Sequence, residues 1–222
     1  MGFDMKWDGI HSSREWGKYP NEHIVAFILR TFGAAESRTQ VHVLDLGFGG
    51  GANLRFLCEQ GFSASGIDGS PHAVTRTEAF LSQWDLRARL VAGDMTNLGA
   101  FDSGSFDAVV DVRSMSNVPR SEVGKVVQEV VRVLKPGGYF VTLLYGTGCM
   151  AYQRGRQVEA QTFTDVPEGP FSGIGHVAIY DVQAVRDVLS PMLVLQHHRI
   201  REEDVQGYWS FEDHFVVCRK TH

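Results

Sequence analysis

The chain is poor in the features that mark several classes of protein. Only three cysteines occur among its 222 residues. Cys58, Cys149 and Cys218 are odd in number, far apart and form no CxxC pair, which excludes a disulfide framework and fits reduced thiols. A basic excess is missing too: Lys and Arg total 21 against 26 Asp and Glu, a formal charge of −5. Proteins that grip a phosphate backbone carry the opposite balance, so nucleic acid is disfavoured as a partner. No apolar run approaches the roughly 20 residues of a membrane span, and no membrane insertion is expected. The first twenty residues hold Asp4, Asp8 and Glu15 and lack the apolar centre of a secretory signal, so a cytoplasmic location is expected. Repeats, low-complexity segments and linkers are absent. What remains, 43% hydrophobic and 21% charged, is the composition of a globular chain with ample material for a core.

Periodicity divides the chain into alternating strands and helices. Residues 21–32 place Ile24, Phe27 and Ile28 on one helical face after Pro20. VHVLDL (41–46) is a short apolar run that reads as a buried parallel strand. A helix over 52–60 follows, stopped by Gly61, then a strand over 62–68. Ser70 and Pro71 suit the cap and first position of a helix reaching about Trp84. Strands are expected at 88–94, 106–112 and 139–145, with a helix opened by Ser121 and closed before Lys135-Pro136-Gly137-Gly138. Asp181 caps a helix over 181–189. The strands at 192–200 and 214–220 have no helix between them, so they are expected to pair as an antiparallel hairpin. The whole is an α/β, Rossmann-like, doubly wound sheet of seven mostly parallel strands with a C-terminal antiparallel hairpin. A single domain over 1–222 is expected, with a lid segment at about 1–32 and a small cap at about 146–180, where the connection is too long for a plain linker.

Ligands of such sheets bind beyond the carboxyl ends of the strands. Asp45, Asp68, Asp94 and Asp111 all close strands. Between the first strand and its helix lies Asp45-Leu46-Gly47-Phe48-Gly49-Gly50-Gly51-Ala52. Gly47, Gly49 and Gly51 let the backbone turn tightly and let a ligand approach amides at a helix start. The spacing Gly47-x-Gly49-x-x-Ala52, with Asp68 about 20 residues on, also fits a dinucleotide fingerprint, and at this point both ligands stay open.

The ordered set of segments resembles the class I S-adenosylmethionine-dependent methyltransferases, of the bacterial small-molecule type. Val43 to Gly51 looks like their first motif and Gly66-Ile67-Asp68-Gly69-Ser70 like their second. Gly93-Asp94-Met95, Phe106 to Asp111 and Leu134 to Tyr139 resemble the segments that follow. Phe48 departs from the pattern, which often has Cys or Ala there, and Ser116-Asn117 stands where many members carry histidine. The resemblance implies S-adenosylmethionine as cofactor. It would be held by Asp45, Gly47, Gly49 and Gly51, with Asp68 and Gly69 at the ribose and Asp94 and Met95 at the adenine. Asp111 and Val112 would line the methionine end, and Tyr19 and Arg14 of the N-terminal segment would fold over it. A cationic sulfonium suits this acidic set better than a pyrophosphate does.

The implied reaction is methyl transfer to an N or O nucleophile of a small-molecule acceptor by in-line displacement. His176, in the cap stretch, is the candidate base, with Arg154 and Arg156 as candidates to hold an acidic group. Three other readings stand beside it: a transferase or cyclase acting on the aminobutyrate arm of the same cofactor, an NAD-dependent oxidoreductase on the same loop, and a non-catalytic cofactor-binding protein. His197 and His198 point to opposite faces of a strand and no metal is expected. A homodimer stays open.

Overall fold

The computed structural model describes residues 3–13 and 17–221. Arg14 and Trp16 therefore lie outside the described residues. A seven-stranded sheet runs through the molecule in the order β3-β2-β1-β4-β5-β10-β9. Its members are β1 (His42–Leu46), β2 (Ser63–Asp68), β3 (Arg89–Ala92), β4 (Phe106–Val112), β5 (Leu134–Tyr145), β9 (Leu193–Glu203) and β10 (Ser210–Arg219). Neighbours among β1 to β5 pair in parallel, and β10 runs antiparallel to both β5 and β9. The chain reverses its direction of growth between β1 and β4, and the crevice of the sheet opens at that point.

Two apolar layers cover the sheet, and strand alternation decides which residue enters which. On β1, Leu44 and Leu46 face one layer and Val43 the other. On β4, Val109 faces the first layer and Ala108 and Val110 the second. The first layer is closed by α5 (Arg120–Val133), whose Val123, Val126, Val127, Val130 and Val133 recur at helical spacing and are all buried. With α7 (Val182–Leu189), capped by Asp181 through the Ala184 amide, it fills that side. The second layer is closed by α2 (Glu22–Phe32), α3 (Ala52–Glu59) and α4 (Pro71–Ser82). Asn21 caps α2, its side chain accepting from the His23 and Ile24 amides. Proline has no side-chain acceptor, and here Pro20 precedes the cap and does not open the helix. Ser70 caps α4 through the Ala73 amide.

Phe48 finds its place through this second layer. Its ring sits where a side chain on Gly66 of β2 would otherwise be, so the bulky residue in the loop and the bare position in the strand accommodate each other. Gly51 is left-handed at φ 76°, and a side chain there would overlap the methyl of Thr77 on α4.

The stretch 146–180 is built as a small layer of its own. It holds α6 (Met150–Arg154) and a three-stranded antiparallel sheet of β6 (Arg156–Glu159), β7 (Thr162–Thr164) and β8 (Val177–Ala178). Its core gathers Met150, Phe163, Phe171, Ile174 and Ile179 with Tyr145 from β5 and Ile10 from the N-terminal helix α1 (Lys6–Ser13). The Tyr180 amide donates to the Tyr145 carbonyl at 2.8 Å, tying the cap to the end of β5. His197 and His198 diverge: Nε2 of His197 lies 2.8 Å from His214 Nδ1, whereas His198 packs on the Phe215 ring at 6.1 Å. Among the described residues no group of His, Cys, Asp and Glu is arranged to hold a metal ion. No described helix is long and apolar enough to cross a membrane.

Candidate functional site

The carboxyl ends of the strands open onto a cavity of about 690 Å³. Its floor is the turn after β1, where Gly47 and Gly49 adopt φ of 63° and 50°. Ser114, just past β4, donates to the Gly47 carbonyl at 3.0 Å and pins the turn from the other side of the switch point. Asp68 stands at the end of β2, nearly buried. Its Oδ2 accepts from the Gly49 amide and its Oδ1 from the Ser70 amide, each at 2.9 Å. Burial holds the Asp68 carboxyl above its ordinary range, while these two amides oppose the shift.

Asp94 and Met95 line the cavity beyond β3, with Gly69, Val112 and Tyr19. Thr96 fixes one Asp94 oxygen through its amide and hydroxyl, at 2.9 and 2.8 Å. The other oxygen receives the Phe3 amide at 3.3 Å.

The structure treats the remaining sequence candidates differently. Asp45, Gly51 and Asp111 lie beneath the cavity and do not line it. Asp45 is fully buried under the turn, on the α3 side, with Oδ2 lacking a hydrogen-bond partner. Desolvation, followed by the nearby Asp111 charge, drives its carboxyl well above the usual range. Asp111 sits on the opposite face of the sheet. It accepts from the Thr142 hydroxyl at 2.6 Å and from the Met115 amide at 3.0 Å, and burial pushes its carboxyl up to about 7. The alternation of β4 explains this: Asp111 shares the face of Val109, while Val112 turns toward the cavity.

His176, the candidate base, is not a lining residue. Its Nδ1 lies 3.1 Å from Asp4 Oδ2, so it braces a residue that does line the cavity. Of the cap candidates, Arg154 pairs with Glu168 and Arg156 with Asp165 at 2.6 Å. Neither arginine reaches the cavity, whose wall on that side is made by Tyr145, Pro170 and Phe211.

His11 and Asn53 are among the lining residues that were not singled out from the sequence. His11, on α1, packs against Gly49 and is nearly buried; burial is the main reason its ring is held below the ordinary histidine range. Its signal was the spacing of Trp7, Ile10 and His11, which puts all three on one face of a short helix. Asn53 of α3 has a weaker signal, because its role as acceptor for the Asn21 amide at 3.0 Å joins elements far apart in sequence.

α1 lies across the cavity and is attached on both sides. Asp8 accepts from the Ser70 hydroxyl at 2.6 Å and pairs with His72 at 3.0 Å on the cofactor-side helix α4. Asp4 and Lys6 reach His176 and Asp165 of the cap.

A protein-family model described as a methyltransferase domain matches residues 43–138, from the start of the glycine turn's strand to the turn inside β5. Over these residues, less than half of the chain, the sequence is similar to that domain. An uncharacterized methyltransferase of Synechocystis sp. is 35% identical over 98 residues, which make up 44% of this chain and 44% of that protein. The match thus spans less than half of that relative's length. Among solved structures, a SAM-dependent methyltransferase from Methanosarcina mazei superposes with a TM-score of 0.69 at 21% identity, covering 81% of this chain and 92% of that one. The 1,6-didemethyltoxoflavin-N1-methyltransferase of Burkholderia thailandensis, solved with its acceptor and S-adenosylhomocysteine bound, gives 0.64 at 16% identity, covering 90% and 78%. These likenesses show the fold over a larger share of the chain than the matched segment.

Proposed function

We propose that the protein transfers a methyl group from S-adenosylmethionine to a small-molecule acceptor. The observation that carries the reading is the gathering of Gly47, Gly49, Asp68, Gly69, Asp94 and Met95, separated by up to half a domain in sequence, around one cavity. The donor set fits the cofactor. Asp68 presents a carboxylate where a ribose diol can donate to it. Asp94 presents one oxygen that already accepts an amide N–H, the kind of donor an adenine amine offers. Asp68 and Asp94 put two acids on the cavity lining, which suits a cationic ligand group better than a pyrophosphate. The Burkholderia neighbour's small heterocyclic acceptor supports a small-molecule acceptor here.

When bound, the cofactor supplies a methyl group on a cationic sulfur with an excellent leaving group. The chain's own contribution is positioning. The Gly47–Gly51 turn sets one end, α1 and the cap close over the opening, and Trp7, Tyr145 and Phe211 form a wall that excludes water. Alignment of this kind supplies much of a barrier reduction without a side-chain base. Burial pushes the Tyr145 hydroxyl up and keeps it protonated at neutral pH, so it acts as a hydrogen-bonding wall.

Calorimetric titration with S-adenosylmethionine, with NAD in parallel, tests the reading. Micromolar binding of the sulfonium with no response to NAD is the expected result. Binding of NAD, or no sulfonium binding by a folded sample, sinks it. Scoring turnover for S-adenosylhomocysteine against methylthioadenosine separates methyl transfer from transfer of the aminobutyrate arm.

A further inference from the structure

We propose that the acceptor is a neutral or basic planar nitrogen compound whose N–H is received by Asn117 while a nitrogen lone pair faces the methyl group. The inference rests on the assignment of the cavity to S-adenosylmethionine. Its first support is charge. Four carboxylates line the cavity, from Asp4, Glu22, Asp68 and Asp94, and Arg113 is the one lysine or arginine among the described lining residues. That arginine is already matched. Its Nε lies 3.0 Å from Asp213 Oδ1, and its guanidinium stands 4.6 Å from the centre of the Phe211 ring. A carboxylated or phosphorylated acceptor would enter against net negative charge and find no free cation among these residues. A compound that is neutral, or that becomes cationic as it is methylated, is favoured by the same field.

The second support is an unanswered acceptor. Asn117 follows β4 and lines the cavity. Its Nδ2 donates to the Arg113 carbonyl at 3.0 Å, and this fixes which end of the amide is which. Oδ1 is the other end, buried and without a hydrogen-bond partner. Buried carbonyl oxygens are satisfied as a rule, so a ligand N–H is the missing donor. The third support is shape. Tyr145 and Phe211 meet edge to face at 5.4 Å, and with Trp7 they offer flat apolar surface of the kind an aromatic ring takes.

The chemistry agrees with the placement of the histidines. His176 does not line the cavity, and His11 stands at the Gly49 end. A nitrogen nucleophile needs no base before it attacks. The acceptor nitrogen forms the bond to the methyl carbon, the carbon–sulfur bond breaks, and sulfur keeps the electron pair. Positive charge passes from sulfur to the acceptor. The N–H proton stays on its ring nitrogen during transfer, hydrogen-bonded to Asn117 Oδ1, and is lost to water after release. An amide carbonyl orients this proton and does not remove it.

The test uses benzimidazole and benzimidazole-5-carboxylate, a pair matched in shape and opposed in charge. Their binding to the protein loaded with S-adenosylhomocysteine is followed by saturation-transfer NMR titration. Benzimidazole is expected to bind at least about tenfold more tightly than the carboxylate, and Asn117→Leu to weaken it about tenfold while leaving S-adenosylhomocysteine affinity within about twofold. Equal or tighter binding of the carboxylate, no binding of benzimidazole, or an unaffected Asn117→Leu protein overturns the proposal. The paired probes decide the matter on the unaltered protein if the variant does not fold. Failure of S-adenosylhomocysteine itself to bind overturns the cofactor assignment instead, and is read separately by calorimetry before either probe is added.

Discussion

Asp68→Ala is expected to raise the dissociation constant for S-adenosylmethionine by about two to four orders of magnitude. The carboxylate would accept from both ribose hydroxyls, and hydrogen bonds to a charged group are worth about 1.5–3 kcal/mol each. The same carboxylate also holds the Gly49 and Ser70 amides, so part of the loss comes from a loosened turn. The fold itself should survive. Burial already disfavours the Asp68 charge, and removing it relieves a desolvation cost that offsets the two lost amide contacts. Asp68→Asn, which keeps one acceptor oxygen, should fall between the two. Calorimetry on both variants, with thermal unfolding alongside, separates a binding defect from a folding one. An alanine variant that binds within about threefold of the parent would remove Asp68 from the site.

Asp111 dominates the second large effect, which is on stability. Its carboxyl is pushed up to about 7 in the folded protein, against about 3.9 in an unfolded chain. Between those values the folded state keeps a proton that the unfolded state has released. Stability therefore falls as pH rises through this window and levels off above it, by about 4 kcal/mol in all. Asp45 works in the same direction, since burial raises its carboxyl as well. Asp111→Asn should flatten the slope between pH 5 and 7 and leave the variant more stable than the parent at pH 8 by about 2 kcal/mol. Urea unfolding at pH 5 and pH 8 measures both. A parent protein that gains stability from pH 5 to pH 8 contradicts the assignment of a raised carboxyl at this position.

The contrast between Asp68 and Asp111 shows how much of the site was legible. Both acids close strands; spacing from the glycine turn pointed to Asp68, and the family resemblance added Asp111. Spacing says nothing about which face of the sheet a residue takes. That information was present in the alternation of β4, where Ala108 and Val110 pack on one layer and Val109 and Asp111 on the other. The sheet was readable for a related reason. β4 and α5 carry valine at clean periods of two and of three to four, and their bounds agree with the structure to within a residue.

The internal elements of the cap were not readable. Its strands are four, three and two residues long, too short for alternation to accumulate. They are held by packing on Tyr145 and Ile10 from elsewhere in the chain. α1 has eight residues and a weak apolar face, and it is stabilised by its contacts with α4 and the cap more than by its own propensity. Asn117 and Phe211 reach the cavity from segments far apart in the sequence. Only tertiary convergence reveals them.

The Phe3 amide donates to Asp94, and the Phe3 ring lies directly over Gly69. On the proposed assignment these are the groups that receive the adenine. Phe3 thus acts as a resident competitor, and a nucleoside arrives by exchange, not by filling space left ready for it. Exchange of this kind has a kinetic signature. The observed rate of cofactor capture rises with concentration and then reaches a ceiling, set by how often the N-terminal segment lets go of Asp94. Departure of the spent cofactor is assisted by the same segment returning to its place.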